Sequence, residues 1–256
     1  MARVLLLGGL DPSGGAGITV DATVVSLLGG VALPIAVANT VQGTRGFVRS
    51  TTVASEVIRE QIATVLADGP VQAVKVGFVG AGEDVAMVAE LVASLHGVAK
   101  LVVDPVLSAT AGGMDRGDEL VAAYREHLIP RADLVTPNTP ELAALADGHV
   151  ESLLGLGARA VLHKGGHGTG PDAIDELWLR DSAEGQPALR LPRPRRDCGP
   201  VRGTGCALAS AIALHLANGV EVADACTAAG DWLGGLLSRV ARRTDDRPSH
   251  LPFTRG

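Results

Sequence analysis

Gly203-Thr204-Gly205-Cys206 opens directly onto a long apolar stretch that runs from Ala207 to Leu216. Glycines let backbone N–H groups converge, and the start of the helix that must follow offers unpaired donors. Such a turn suits an anion, above all a phosphoryl group in transfer. A cysteine at that position is expected to lie nearer to a thiolate than an ordinary buried thiol does. The same residues read equally as a helix-start turn with a small apolar cysteine packed beneath it. No GxxxxGK[ST] stretch occurs in the chain, and no GxGxxG followed by a ribose-binding acid.

A second glycine loop, "GGLDPSGGAGI", places Asp11-Pro12-Ser13 in a tight turn and lets Gly14, Gly15 and Gly17 pass close to a ligand. Asp21 follows on the next helix, as a ligand contact or as an exposed helix acid. "VVDPV" puts Asp104 at the end of an apolar strand. "TPNTPE" sets Asn138 and Glu141 three residues apart, on one side of a nascent helix turn. Carboxylates and an amide of this kind organise Mg²⁺ directly or through its waters, as phosphoryl transfer requires. Asn138 also reads as a helix N-cap with Pro140 in the first turn. Lys164 ends a strand before Gly165-Gly166, as a partner for nucleotide phosphates or as a solvent lysine. His163 and His167 are not spaced as zinc ligands.

The elements that must position these residues follow from the apolar pattern. Strands are expected at Arg3–Gly8, Val31–Ala38, Ala73–Gly77, Lys100–Val103, Asp133–Val135 and Ala160–Lys164. Helices are expected at Ile18–Leu28, Val53–Leu66, Glu83–Leu95, near Asp118–His127, after "TPNTPELAAL", and at Thr204–Leu216 and Val222–Leu237. Gly9–Gly17 and Thr40–Ser50 read as loops, and Ile174–Leu179 with Ala188–Leu191 as a hairpin at a mixed edge. Short strands alternating with helices imply a doubly wound α/β sheet, with ligands bound beyond the strands' carboxyl ends. The polar and glycine-rich stretches fall at those ends: Gly9–Gly17, Asn39–Gly46, Gly77–Gly80, Asp104–Gly113, Asn138–Glu141, Gly165–Gly168 and Gly203–Cys206. One domain is expected over residues 1–241, with 242–256 a polar, loosely held tail.

With only three Phe, two Trp and one Tyr, the core must be built from Val, Leu, Ala and Ile. A net charge of −6 without a basic stripe argues against a nucleic-acid surface. Cys198, Cys206 and Cys226 make no even disulfide framework and no Cys-x-x-Cys pair, which fits a reducing cytoplasm. The N-terminal apolar run is too short for a signal peptide or a membrane span.

Taken in order, these blocks resemble the hydroxymethylpyrimidine/phosphomethylpyrimidine kinases of thiamine biosynthesis, within the ribokinase-like superfamily. The stretches that carry the resemblance are Gly9–Asp21, Val37–Gly46, Val74–Gly80, Val102–Pro105, Val135–Glu141, Lys164–His167 and Gly203–Cys206. The resemblance implies a three-layer α/β/α sandwich on a mostly parallel sheet without a separate lid domain, a homodimer, and Mg²⁺-dependent transfer of the γ-phosphoryl of ATP. The acceptors it implies are 4-amino-5-hydroxymethyl-2-methylpyrimidine and then its monophosphate. Asp21 and Gln42 are implied as pyrimidine contacts, with Gly9, Phe78 and Val106 lining the same pocket. Cys206 is implied as the base, in the Gly203-Thr204-Gly205 anion hole. Asp104, Asn138 and Glu141 are implied on the Mg·ATP side, with Lys164 near the phosphates. The Gln42 carboxamide offers both an acceptor and a donor to an aminopyrimidine edge.

Three departures bear on the acceptor. Gly43 follows Gln42 where the family has Asn, Phe78 replaces a methionine, and Arg202 replaces the histidine before GTGC. Arg202 adds a positive charge that either serves a phosphorylated acceptor or faces solvent. Competing readings are a pyridoxal or pyridoxine kinase, which shares the fold, and a non-catalytic pyrimidine-binding relative.

Overall fold

The computed structural model of the chain describes residues 1–107, 117–181, 185–243, 245 and 247–253. The part of the expected rim segment Asp104–Gly113 that follows Leu107 lies outside the described residues.

Nine strands form one sheet among the described residues, in the order β3-β2-β1-β4-β5-β6-β7-β8-β9. The central six are parallel: β1 (Arg3–Leu10), β2 (Val31–Gly43), β4 (Ala73–Val76), β5 (Lys100–Val103), β6 (Leu134–Val135) and β7 (Ala160–His163). Antiparallel strands close both sides, β3 (Gly46–Thr52) on β2 and the β8–β9 pair (Asp172–Leu179, Leu189–Pro194) on β7. Pro192 and Pro194 are tolerated in β9 because it is an edge.

Alternation along the central strands sorts their side chains into two cores. Leu5 and Leu7 of β1 join one, with Val74, Val76, Val103 and Val135. Helices α2 (Ser55–Ala67), α3 (Gly82–Ala93), α4 (Gly117–Ala123), α5 (Thr139–Ala146) and α6 (Val150–Leu156) cover that face. Val4 and Leu6 join the other core, under α1 (Gly17–Leu27), α7 (Thr204–Ala217) and α8 (Val222–Leu237). Helix α7 is buried almost all round, so it is apolar all round, and its alanines let it lie close to the sheet. Together the helices and sheet make the expected three layers. No helix among the described residues is long and apolar enough to cross a membrane.

Several expectations are corrected. Thr40–Ser50 is not a loop: β2 continues through Gln42 and turns at Thr44-Arg45 into β3. Helix α6 was not expected at all. The hairpin strand β9 begins at Leu189 and extends to Pro194, beyond the expected Leu191. The tail is not loose where it is described. Leu251 is buried in the α7-side core, Phe253 packs on it, and the Ser249 N–H and C=O bond Pro200 O and Arg202 N.

Candidate active site

The carboxyl ends of the strands open into one cavity of about 730 Å³. The sheet order arranges its lining. Gly9, Gln42, Phe78 and Val106, from the β1, β2, β4 and β5 ends, form one end of the cavity. Asn138, Lys164, Asp175 and Arg193, from the β6 to β9 side, form the other. Asp104 and the turn Gly203–Cys206 lie on it as well.

Gly203 is the N-cap of α7 with φ +75°, in the left-handed region, and a Cβ there would come within 2.5 Å of Gly15 O. Glycine is therefore required twice over, for conformation and for contact between the two glycine loops. The first-turn N–H groups of Thr204, Gly205 and Cys206 have no intrahelical acceptor and lie on the cavity. The positive end of the helix dipole adds to them.

Cys206 is partly buried at this turn. The expected thiolate is overturned. Burial pushes the thiol up to about 12, and nearby Lys75 offsets this only in part. Desolvation and the neighbouring carboxylates of Asp21 and Asp104 outweigh the helix terminus.

Behind the turn lies a chain of buried charges. Lys164 Nζ is 2.8 Å from Asp104 Oδ1 and 3.9 Å from Glu141 Oε2. Thr136 Oγ1 donates to Asp104 at 3.2 Å, and Lys75 Nζ stands 4.0 Å from its other oxygen. Against burial, which works the other way, Lys164 and Lys75 hold the Asp104 carboxyl below the usual carboxylate range. Burial also disfavours the Lys164 charge, but Asp104 and Glu141 keep its ammonium above the usual lysine range. Lys164 is thus a cavity-lining cation tied to two acids, not a solvent lysine.

Asn138 and Glu141 form a reciprocal capping box at the start of α5. Asn138 Oδ1 accepts from Glu141 N at 2.9 Å, and Glu141 Oε2 accepts from Asn138 N at 2.8 Å. The capping reading holds, and both residues still face the cavity. Burial pushes the Glu141 carboxyl up to about 7 despite Lys164. Its Oε1 has no hydrogen-bond partner among the described residues. A buried carboxylate short of positive charge, beside the acid of Asp104, fits Mg²⁺ held by one or two carboxylates, waters and phosphate oxygens. Among the described residues no group of three His, Cys, Asp or Glu side chains makes a ready-made cation cage.

At the β1–β5 end of the cavity, Gly9 lies against the Phe78 ring, where a Cβ would come within 2.5 Å of Cδ1. Val106 lines the same wall. Asp21 does not. It is fully buried on α1, its two oxygens 3.0 and 2.9 Å from Lys75 Nζ, with Ser210 Oγ of α7 donating at 2.8 Å. Neither the expected pyrimidine contact nor an exposed helix acid describes it. Of the two readings of Arg202, the solvent-facing one fails. The residue is 4% exposed, paired with Asp11 at 2.8 Å, and donates to Gln42 Oε1 at 2.9 Å and to Gly43 O.

Sequence reasoning missed Lys75 and Ser210. The signal for Lys75 was a lone charge inside the apolar strand "AVKV", which requires a buried partner. Burial disfavours its charge, yet the carboxylates of Asp21 and Asp104 hold its ammonium above the usual range.

A glycine-framed turn at a helix N-terminus, a lysine–carboxylate cluster and an apolar wall, in one cavity on one doubly wound sheet, are the parts that suit a small-molecule phosphotransferase. Residues 11–246 match the family model described as phosphomethylpyrimidine kinase, and the chain belongs to that family. The hydroxymethylpyrimidine/phosphomethylpyrimidine kinase of Rhizobium meliloti is 37% identical over 254 residues, covering 94% of this chain and 92% of the relative. The crystal structure of a phosphomethylpyrimidine kinase from Clostridium difficile superposes with a TM-score of 0.76 at 29% identity, covering 92% of this chain and 99% of that one. A pyridoxal kinase from Staphylococcus aureus, in complex with AMP-PCP and pyridoxal, shares the fold with a TM-score of 0.83 at 23% identity, covering 99% and 93%.

Proposed function

We propose that the protein transfers the γ-phosphoryl group of ATP to the hydroxymethyl oxygen of 4-amino-5-hydroxymethyl-2-methylpyrimidine, and then phosphorylates the monophosphate to the diphosphate. The observation that carries this reading is a single cavity. In it the Gly203–Cys206 turn lies with an apolar wall carrying one amide, Gln42, and with a charged cluster, Lys164–Asp104–Glu141. Family membership supports the choice of acceptor.

In this reading Phe78, Gly9 and Val106 hold the pyrimidine ring, and Gln42 hydrogen-bonds its edge. The hydroxymethyl oxygen points at Cys206, and the ionised fraction of its thiol orients that hydroxyl and takes its proton late, as bonding to phosphorus makes the proton acidic and ADP leaves. The Gly203–Cys206 N–H groups receive the transferred oxygens, and Lys164 and Asn138 hold the nucleotide phosphates. Asp104 and Glu141 would hold Mg²⁺, which neutralises phosphate charge when bound. A homodimer belongs to the same proposal. It has support in the exposed Val41 and Val48 of the β2–β3 edge, and light scattering in solution tests it.

The test is incubation with ATP, Mg²⁺ and an acceptor panel of the aminopyrimidine, its monophosphate and pyridoxine, read by mass spectrometry. Mono- and diphosphate of the pyrimidine are expected. A higher kcat/KM for pyridoxine overturns the acceptor assignment, and binding without product overturns the enzymatic one.

A further inference from the structure

Arg202 stands directly before the anion hole, yet its charge is not directed there. Nη2 donates at once to Asp11 Oδ2 at 2.8 Å and to Gln42 Oε1 at 2.9 Å, while Nη1 reaches Gly43 O. Asp11 cannot turn away, because its other oxygen accepts from the N–H and the hydroxyl of Ser13 at 2.9 and 2.7 Å. The Arg202 backbone is held as well, its N–H donating to Ser249 O at 2.9 Å. The guanidinium is therefore fixed from three sides and 4% exposed.

A guanidinium has donors and no acceptor. Whatever Gln42 turns toward it must be the carbonyl oxygen. That choice sets the whole planar carboxamide, so the NH₂ group takes the opposite side. Gln42 lines the cavity, and Nε2 has no partner among the described residues. The guanidinium also draws charge from the carbonyl, which strengthens the N–H donors.

We propose that Arg202 is a positioning residue of the acceptor site: it locks Gln42 with its NH₂ toward the cavity, so that this position recognises a hydrogen-bond-accepting ring atom of the acceptor. The inference rests on the acceptor site proposed above. Gln42 then donates to a ring nitrogen of the aminopyrimidine and does not chiefly receive its exocyclic amino group. The expected donor–acceptor pairing narrows to one direction, because the oxygen is already engaged.

Acceptor KM and kcat at saturating Mg·ATP, the AMP-PCP Kd and the melting temperature are to be measured for wild type, Arg202→Met, Arg202→Lys, Gln42→Leu, Gln42→Glu and the Arg202→Met/Gln42→Leu double variant. Arg202→Met is expected to raise the KM for 4-amino-5-hydroxymethyl-2-methylpyrimidine about tenfold, the effect of one misplaced hydrogen bond to a buried ligand. Its kcat and AMP-PCP Kd should move far less, and Arg202→Lys should recover part of the loss. In the Gln42→Leu background the same change should add less than about twofold, because Arg202 acts through the amide. Gln42→Glu keeps a partner for Arg202 but has no N–H. It should therefore raise the acceptor KM by a similar factor of about ten whether or not Arg202→Met folds. An unchanged KM in Gln42→Glu, or an equal effect of Arg202→Met in both backgrounds, overturns the proposal. A wild type that phosphorylates pyridoxine and not the pyrimidine overturns the functional reading alone, and the same cycle run with pyridoxine then decides the role of Arg202.

Discussion

At Cys206 two influences oppose each other. The helix terminus and Lys75 favour a thiolate, while burial among Asp21 and Asp104 favours the thiol and prevails, pushing it up to about 12. At neutral pH the group is a thiol, and its ionised fraction grows about tenfold for each unit of rising pH. Cys206→Ala is therefore expected to lower kcat by about 10²-fold, the low end of the range for loss of a general base. The gap between wild type and alanine should widen from pH 7 to pH 9. Cys206→Asp should retain more activity than alanine and vary less with pH, since a carboxylate is already ionised. Near-normal kcat for both alanine and serine variants would leave the cysteine a packing residue. Glu141 carries the opposite sense. Its neutral form is favoured up to about pH 7, so protonation competes with a cation more strongly as pH falls. The Mg²⁺ concentration for half-maximal rate should rise below pH 7 in wild type. In Glu141→Gln it should be higher throughout and nearly independent of pH. Titrating Mg²⁺ at fixed ATP at pH 6 and 8 checks both statements, and equal titrations for the two proteins would reduce Glu141 to its capping role.

The elements show which parts of this site could be seen in the sequence. Helix α7 was legible because an all-apolar run after a glycine turn has one solution, a buried helix whose N-terminus meets solvent or ligand. The strand ends bearing Asp104 and Lys164 were legible for the same reason, since short apolar runs stop at polar residues. The β2–β3 hairpin was not. Its turn is Thr44-Arg45, without the Asn-Gly or Asp-Gly pair that marks a two-residue connection, and its edge strand is largely exposed. Asp21 and Arg202 were misplaced because their partners lie 54 and 191 residues away, Lys75 and Asp11, and no local pattern reveals such pairs. Strand β4 carries Lys75 on its α7 face, where it meets Asp21 of α1, which also accepts from Ser210 of α7. Lys75→Met would leave Asp21 as a buried charge without its cation, at a cost of about 3–5 kcal/mol. The Lys75→Met/Asp21→Asn pair should recover much of that loss. Urea denaturation of the two singles and the double measures it. Simple additivity would show that the pair does not act as a unit.

Across the whole molecule, the two glycine loops come from opposite ends of the chain, and the last described segment braces both. Ser249 bonds the backbone on either side of Val201, and His250 lies beside Gly15, near enough that a Cβ there would be 2.9 Å from Nε2. Leu251 anchors this brace, 6% exposed in the core shared with α1, α7 and α8. The consequence is a link between stability and site geometry that distance along the chain conceals. Leu251→Ala removes a buried side chain from a well-filled core and should cost about 2–5 kcal/mol. Ending the chain after Arg247 removes the same anchor together with the Ser249 hydrogen bonds that hold Pro200 and Arg202. If the segment only adds burial, the two changes should lower the melting temperature alike and leave the kinetics of the folded fraction unaltered. If it also holds the backbone before Gly203, the truncation should raise the acceptor KM several-fold beyond Leu251→Ala, by the roughly 1 kcal/mol per lost hydrogen bond that fixes the backbone. The second outcome is expected, because Arg202 N bonds Ser249 O directly while Leu251 sits in the core. Both proteins should be assayed well below their melting temperatures, so that unfolding does not enter KM. Identical acceptor KM values for the truncated and full chains would show that the glycine loops hold their own geometry without the brace.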